Sequence, residues 1–275
     1  MTRQRKLAYL ALLSAAAIWG AAPPIIKYTL DFVSPTTFLF YRFLFVSLIL
    51  FPLVIKNIKI LNFKYLLIGL IGTPINLLLF FEGIKRTSAS EASILAVLSP
   101  LFVIAGGLFF LQEKLEKNEK IGLAIALVGI TLTLIRPDLN HQHLVGNLLV
   151  LAGSLTWAVF TLGAKKFKLE PGLLTAISFL SGIFVVGPLT TAFQLPTSTW
   201  PGIIYMTVGG SVIAYWAYSY GVKQIEASEA TLFTYLQPLL GLPLALIFLQ
   251  ESLAPLFLVG TLTIALGVII SELRR

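Results

Sequence analysis

The 275-residue chain is 57% hydrophobic and 12% charged, with a mean hydropathy of +0.91 and no cysteine. A water-soluble domain carries about 25% charged residues, so this chain cannot clothe a globule of its length, and lipid is the remaining solvent. The missing cysteines exclude disulfides, thiolate nucleophiles and thiolate metal sites; the net charge of +8 does not point to nucleic acid, because the basic residues are scattered through short loops rather than gathered on one face.

Ten apolar runs, each near the length of about 20 residues that a membrane span needs, lie near 7–30, 35–55, 63–84, 88–111, 118–135, 144–167, 171–193, 199–222, 226–249 and 255–273. The first imitates a secretory signal, but Pro23-Pro24 stands where cleavage would fall and the apolar run continues past it, so it reads as an uncleaved span. The second holds Arg42 roughly 10 Å from its start, at about 1.5 Å per residue. Breaks interrupt the runs at Pro23-Pro24, at Pro74 after Gly72-Thr73, at Pro100, Pro188 and Gly209-Gly210, and at Pro238 with Pro243. Each proline withholds an amide from a backbone carbonyl, which must find water, a side chain or a ligand. Unbroken apolarity excludes a β-barrel, whose strands alternate in polarity. The expected fold is all-α and integral to the membrane, with ten transmembrane helices.

The chain writes one stretch twice. Residues 83–102, GIKRTSASEASILAVLSPLF, and 221–240, GVKQIEASEATLFTYLQPLL, agree at nine of twenty positions at an offset of 138. The same offset pairs Trp19 with Trp157, Lys27 with Lys165, Gln112-Glu113 with Gln250-Glu251, Gly122 with Gly260 and Gly129 with Gly267. One unchanged offset over that distance marks a duplicated half. The expected organisation is a first five-helix half over 1–135, a linker over 136–143 and a second five-helix half over 144–275. Fifteen Lys and Arg fall on the loops of one side and four on the other, which makes the first side, with both termini, cytoplasmic. Five spans per half is an odd number, so the second half enters the membrane upside down. Such inverted repeats characterise secondary transporters, with the site at the midplane and access alternating between faces.

Several residues are candidates for chemistry. Gly72 pairs with Gly210, and Pro100 with Pro238; these repeated positions read as hinges beside a partly wet cavity, or as kinks packed by neighbours. Arg42 reads as a receiver for a substrate carboxylate, or as a snorkelling or carbonyl-tying arginine. Glu91 and Glu229 open the matched fourth and ninth helices. The helix dipole accounts for them, with Ser90 and Ser228 able to cap nearby, and a proton relay is the alternative. Ser211, Tyr215 and Tyr218 share one face of the eighth helix, and Thr231, Tyr235 and Pro238 one face of the ninth, with Gln237 alongside. Asn76 and Phe80 mark the equivalent region of the third helix. With Trp19 and Trp157 these residues suit a polar-edged aromatic pocket for an amphipathic metabolite. Tyr65, Trp200 and Tyr205 read as interfacial anchors. The seven-residue spacing of Gly122/Gly129 and of Gly260/Gly267 gives the fifth and tenth helices a small-residue seam, internal or between copies. Monomer and homodimer both remain open.

No enzymatic activity is expected. His141 and His143, the two histidines, share the linker, so no intramembrane serine–histidine pair can form, and both aspartates lie at span edges. His-x-His in a linker is a weak metal site, no phosphate loop is present, and neither metal nor cofactor is expected. The doubled motif ASEASILAVLSPLF…FLQEKL and ASEATLFTYLQPLL…FLQESL, with Trp19 and the Arg42-Phe43 pair, resembles EamA-type members of the drug/metabolite transporter superfamily over nearly the whole chain. The resemblance implies a ten-helix carrier in the cell (inner) membrane, often an exporter of amino acids or related metabolites, with its cavity between the halves. Gln237 stands where family members often carry Glu, and the first helix holds no carboxylate. The expected partners are a small-molecule substrate and the lipid bilayer. A carrier of nucleotide sugars or phosphorylated metabolites, a channel, and a non-transporting membrane scaffold are the alternatives.

Overall fold

The computed structural model describes residues 3–96, 98–110, 117–134, 141–225, 230, 233–251 and 255–272. Among these the chain is helical throughout its regular structure. In order the α-helices are α1 (Arg3–Gly20), α2 (Ala22–Thr29), α3 (Pro35–Asn57), α4 (Phe63–Leu70), α5 (Asn76–Arg86), α6 (Ala89–Ala96), α7 (Ser99–Phe110), α8 (Lys117–Leu134), α9 (His141–Lys166), α10 (Pro171–Val186), α11 (Trp200–Ile204), α12 (Ala214–Gln224), α13 (Gln237–Phe248) and α14 (Pro255–Glu272). Among the described residues six segments are long and apolar enough to cross a membrane: Arg3–Thr29, Pro35–Ile60, Phe63–Arg86, Ala89–Gly107, His141–Lys166 and Pro171–Leu189. Polarity is inverted relative to a soluble protein. Phe63, Phe184 and Phe248 are more than 70% exposed, whereas Arg42, Glu91 and Asn147 are no more than 2% exposed. An apolar exterior over a polar interior fits lipid as the surrounding solvent.

Local chemistry explains several boundaries. Ser34 accepts the Thr37 amide at 3.1 Å and Pro35 occupies the first turn, starting α3; both devices satisfy orphan groups at a helix N-terminus. Glu170 and Pro171 do the same for α10. Pro74 lies in a π-helical stretch, Ile71–Ile75, between α4 and α5, and Gly209-Gly210 lies in another, Tyr205–Ile213, between α11 and α12. The two stretches overlap at the repeat offset and contain the paired Gly72 and Gly210. A widened turn accommodates a carbonyl that has lost its α-helical donor.

Helix contacts recur when the halves are exchanged. Helix α5 packs on α9 and α12 on α1, which are the same two positions with the halves swapped; α3 packs on α10 and α8 on α14. Gly83 allows close approach to Val150, and its mate Gly221 to Leu12, the counterpart of Val150. Lys27 donates to the carbonyls of Ile84 (2.9 Å) and Thr87 (2.6 Å), while Lys165 donates to those of Val222 (3.2 Å) and Ile225. Each lysine therefore closes the C-terminus of the third helix of its own half, where carbonyls lack intrahelical donors and a cation suits the dipole. Lys27→Met and Lys165→Met should each cost about 1–3 kcal/mol and lower the melting temperature by similar amounts. A clear effect at one lysine and none at the other would contradict their equivalence.

The glycine seam is internal. A Cβ at Gly129 would meet the Gly260 carbonyl oxygen at 2.8 Å, and one at Gly267 the Gly122 carbonyl oxygen at 2.6 Å. Tyr65 and Tyr205, expected as interfacial anchors, instead bond within the protein. The Tyr65 hydroxyl accepts the Glu170 amide at 2.8 Å, and the Tyr205 hydroxyl donates to the Ile18 carbonyl at 2.7 Å. The linker region also differs from expectation, since His141 and His143 lie in the first turn of α9 rather than in a loop. The rest of the linker, 136–140, falls outside the described residues.

Candidate functional site

Both halves line a cavity of about 110 Å³. Of the residues expected to line a pocket, Trp19, Arg42, Asn76, Phe80, Trp157 and Tyr215 do so. Arg42 is the one charged side chain among the described lining residues.

Arg42 comes from α3, one residue before Phe43, and is 1% exposed. It does not snorkel. Its Nε donates to Ser211 Oγ at 2.8 Å and its Nη2 to the Gly210 carbonyl at 3.4 Å. The second π-helical stretch creates both acceptors: Ser211 in turn donates to the Met206 carbonyl five residues back, at 2.7 Å. Phe81 and Phe179 flank the guanidinium, with centroids 5.8 and 5.7 Å from Cζ, close enough for cation–π attraction. Nη1 is buried without a hydrogen-bond partner. A buried cation with one nitrogen left unpartnered is costly unless a counter-charge arrives.

An aromatic wall stands beside it. Trp19 meets Trp157 and Tyr215 edge-on, each at 5.3 Å, and Trp157 meets Tyr215 at 5.4 Å. The indole of Trp19 donates to the Gly210 carbonyl at 2.9 Å, so tryptophan and arginine share one anchor. Tyr218 packs behind the wall, 5.0 Å from Trp157 and bonded to Thr161, and is not among the cavity-lining residues. Tyr235 likewise stays outside the lining, whereas its neighbours Thr234 and Gln237 belong to it. Thr231 and Glu229 lie outside the described residues. Asn76 is held by the Gly153 carbonyl at 2.7 Å. Sequence reasoning missed Ser93, Ser154, Phe81 and Met206, which also line the space.

Glu91 is placed apart from the cavity lining. It is 2% exposed, accepts from the Thr87 hydroxyl, and has His143 Nδ1 at 3.9 Å. Ser88, not Ser90, caps its helix by accepting the Glu91 amide at 3.0 Å. Ser90 bonds instead to Glu251 from the other half, whose carboxylate also accepts the Ala89 and Ser90 amides at 2.7 and 2.9 Å. Hence a carboxylate does sit at the positive end of α6, supplied across the interface between the halves. Of the hinge candidates, Gly72 and Gly210 fall in the π-helical stretches, while Pro100 and Pro238 follow the starts of α7 and α13. Among the described residues no group of three metal-ligating side chains occurs.

A sequence model of the EamA-like transporter family matches residues 6–135 and again 144–273. The chain belongs to the EamA-like transporter family. The resemblance read from the doubled motif is thereby borne out, and with several apolar helices the protein is a multi-pass membrane protein. Among its relatives, "Uncharacterized transporter YyaM" of Bacillus subtilis (strain 168) is 23% identical over 95% of this chain and 92% of its own length. "Probable amino-acid metabolite efflux pump" of Salmonella typhimurium (strain LT2) is 26% identical over 97% of this chain and 95% of its own. One crystal structure, at 17% identity, superposes with a TM-score of 0.73 over 97% of this chain and 96% of that one. At that identity the superposition speaks for the fold alone.

Proposed function

We propose that this EamA-family member is a secondary carrier that exports a small amphipathic metabolite bearing a carboxylate, such as an amino acid. One observation carries the reading: Arg42 is buried in an aromatic-walled cavity with Nη1 unpartnered, which suits one carboxylate. The printed name of the Salmonella relative agrees with that class. One cation among the described lining residues is poor provision for a nucleotide sugar or phosphorylated metabolite, whose charges call for several cations. In this reading ten helices form two halves of opposite polarity, both termini are cytoplasmic in the inner membrane, and rocking of the halves alternates access.

Two measurements test it. Sealed vesicles carrying the protein should show saturable flux for members of an amino-acid and organic-acid panel, and flux for none of them would count heavily against a carrier. The inversion has a separate check, convenient in a chain without cysteine. Lys56, in the last turn of α3, and Gln194, on a loop, are exposed repeat mates, so Lys56→Cys and Gln194→Cys should react with impermeant thiol reagents from opposite faces. Labelling from the same face would sink the inverted arrangement.

A further inference from the structure

Three helical segments are discontinuous at the cavity. The chain turns at Ala21 between α1 and α2, a turn at Leu98 lies between α6 and α7, and a 3₁₀ stretch, Phe233–Leu236, precedes α13. Gly20, Ala96 and Gln237, at or beside these breaks, all line the space. Two prolines matter for what the breaks present. Pro24 has no amide for the carbonyl four residues back, that of Gly20, and Pro100 has none for that of Ala96. Gly20 ends α1 and Ala96 lies in the last turn of α6, where carbonyls carry the negative end of the helix dipole.

Oxygens of Gly20, Gln237 and Ser93 gather at one crossing. A Cβ on Gly20 would lie 2.8 Å from the Gln237 carbonyl oxygen, and one on Gly241 would lie 2.9 Å from both the Gly20 carbonyl oxygen and Ser93 Oγ. Glycine is needed here because two backbones and a serine approach within contact distance. Ser93 and Gln237 are themselves lining residues, and no lining residue described is acidic. In carriers built with broken helices, such carbonyls accept cations. Arg42 supplies the opposite polarity. Trp19, which shares the Gly210 carbonyl with Arg42, immediately precedes Gly20 in the chain.

Resting on the carrier reading above, we propose that the helix breaks at Gly20 and Ala96 form a second pole of the site, which receives the ammonium of an α-amino acid whose carboxylate meets Arg42. An ammonium brings three donors and no acceptor, and carbonyl oxygens at segment ends can accept them without a buried carboxylate. The site then selects the zwitterion over its des-amino acid, because losing the ammonium leaves desolvated oxygens unpaired.

The test uses ligand pairs differing only in that group: phenylalanine with 3-phenylpropanoate, and leucine with 4-methylpentanoate. Binding is measured to the purified full chain in lipid nanodiscs, in sodium-free buffer. Each amino acid should bind at least about ten-fold tighter than its des-amino partner, the value of one charge-assisted hydrogen bond. Pro100→Ala restores an amide to the Ala96 carbonyl, and should weaken amino-acid binding by about ten-fold while leaving the des-amino acids within about two-fold. Pro24→Ala makes the same test at Gly20 if the first variant does not fold. Equal binding of both members of each pair in the wild type overturns the second pole and leaves the carboxylate-carrier reading standing. So does equal weakening of both by each folded proline variant, and so does sodium raising the des-amino acid to the amino acid's affinity. No binding by any of the four overturns both.

Discussion

Arg42→Met should abolish saturable carboxylate transport and leave the empty protein at least as stable as before. The two halves of this expectation have separate physical grounds. Losing a charge-assisted contact to the substrate should remove about 1.5–3 kcal/mol of binding, or roughly ten- to a hundred-fold in affinity. A purely structural arginine would instead leave orphaned partners behind, at a cost of several kcal/mol. Here neither acceptor is orphaned: Ser211 still donates to the Met206 carbonyl, and the Gly210 carbonyl still accepts the Trp19 indole. Phe81 and Phe179 would pack on the methionine thioether. A melting temperature that holds or rises, with carboxylate transport lost, is therefore the signature of a binding arginine. Arg42→Lys keeps the charge but not the fork that reaches Ser211 and Gly210 together, so it should fall between. Carboxylate transport with an unchanged KM in Arg42→Met, or a large fall in melting temperature, would show that the arginine serves the fold.

The duplication was legible because it is a property of spelling, and the contacts follow it: Lys27 and Lys165, Gly83 and Gly221, Gly129 and Gly267 each repeat their partner's role. Arg42 was legible because a charge within an apolar run stands out whatever the fold. Depth was not. Tyr215 and Tyr218 share a helix face, but periodicity assigns a face and not a height, and only Tyr215 reaches the cavity. Ser93 and Ser154 looked like ordinary small residues of membrane helices until two halves brought them to one space. The Glu251 cap on α6 joins groups 161 and 162 residues apart, a distance at which no local pattern carries information. Tyr65 and Tyr205 were misjudged for a related reason, since a tyrosine near a span end looks like an anchor until a carbonyl or amide from another helix appears beside its hydroxyl. The seam of α8 and α14 left one question that spelling cannot answer, namely which surface the small residues face.

Gly267→Leu and Gly129→Leu should be the most destabilising substitutions on the α8–α14 pair, and should be alike in size. The nearest atoms in the way are backbone, joined at Gly129 by Ile264 Cγ1 at 2.8 Å. At Gly267 a Cβ would meet the Gly122 carbonyl oxygen at 2.6 Å and the Ala126 amide nitrogen at 2.7 Å; at Gly129 it would meet the Gly260 carbonyl oxygen at 2.8 Å and the Ile264 amide nitrogen at 2.7 Å. Moving a side chain leaves the backbone clash in place, so the helices must separate along the seam and lose dispersion contacts on both sides. Overpacking of this kind costs about 3 kcal/mol, which lowers the melting temperature of a chain this size by roughly 6–12 °C. Gly187→Ala is the control, because its Cβ would find only Phe40 at an ordinary 3.7 Å and should shift the midpoint little. Because both helices belong to one chain, the loss should not depend on protein concentration. If instead the seam joined two copies, dilution of the wild-type protein would mimic the mutants, and the substitutions would change oligomeric state rather than the stability of the single chain.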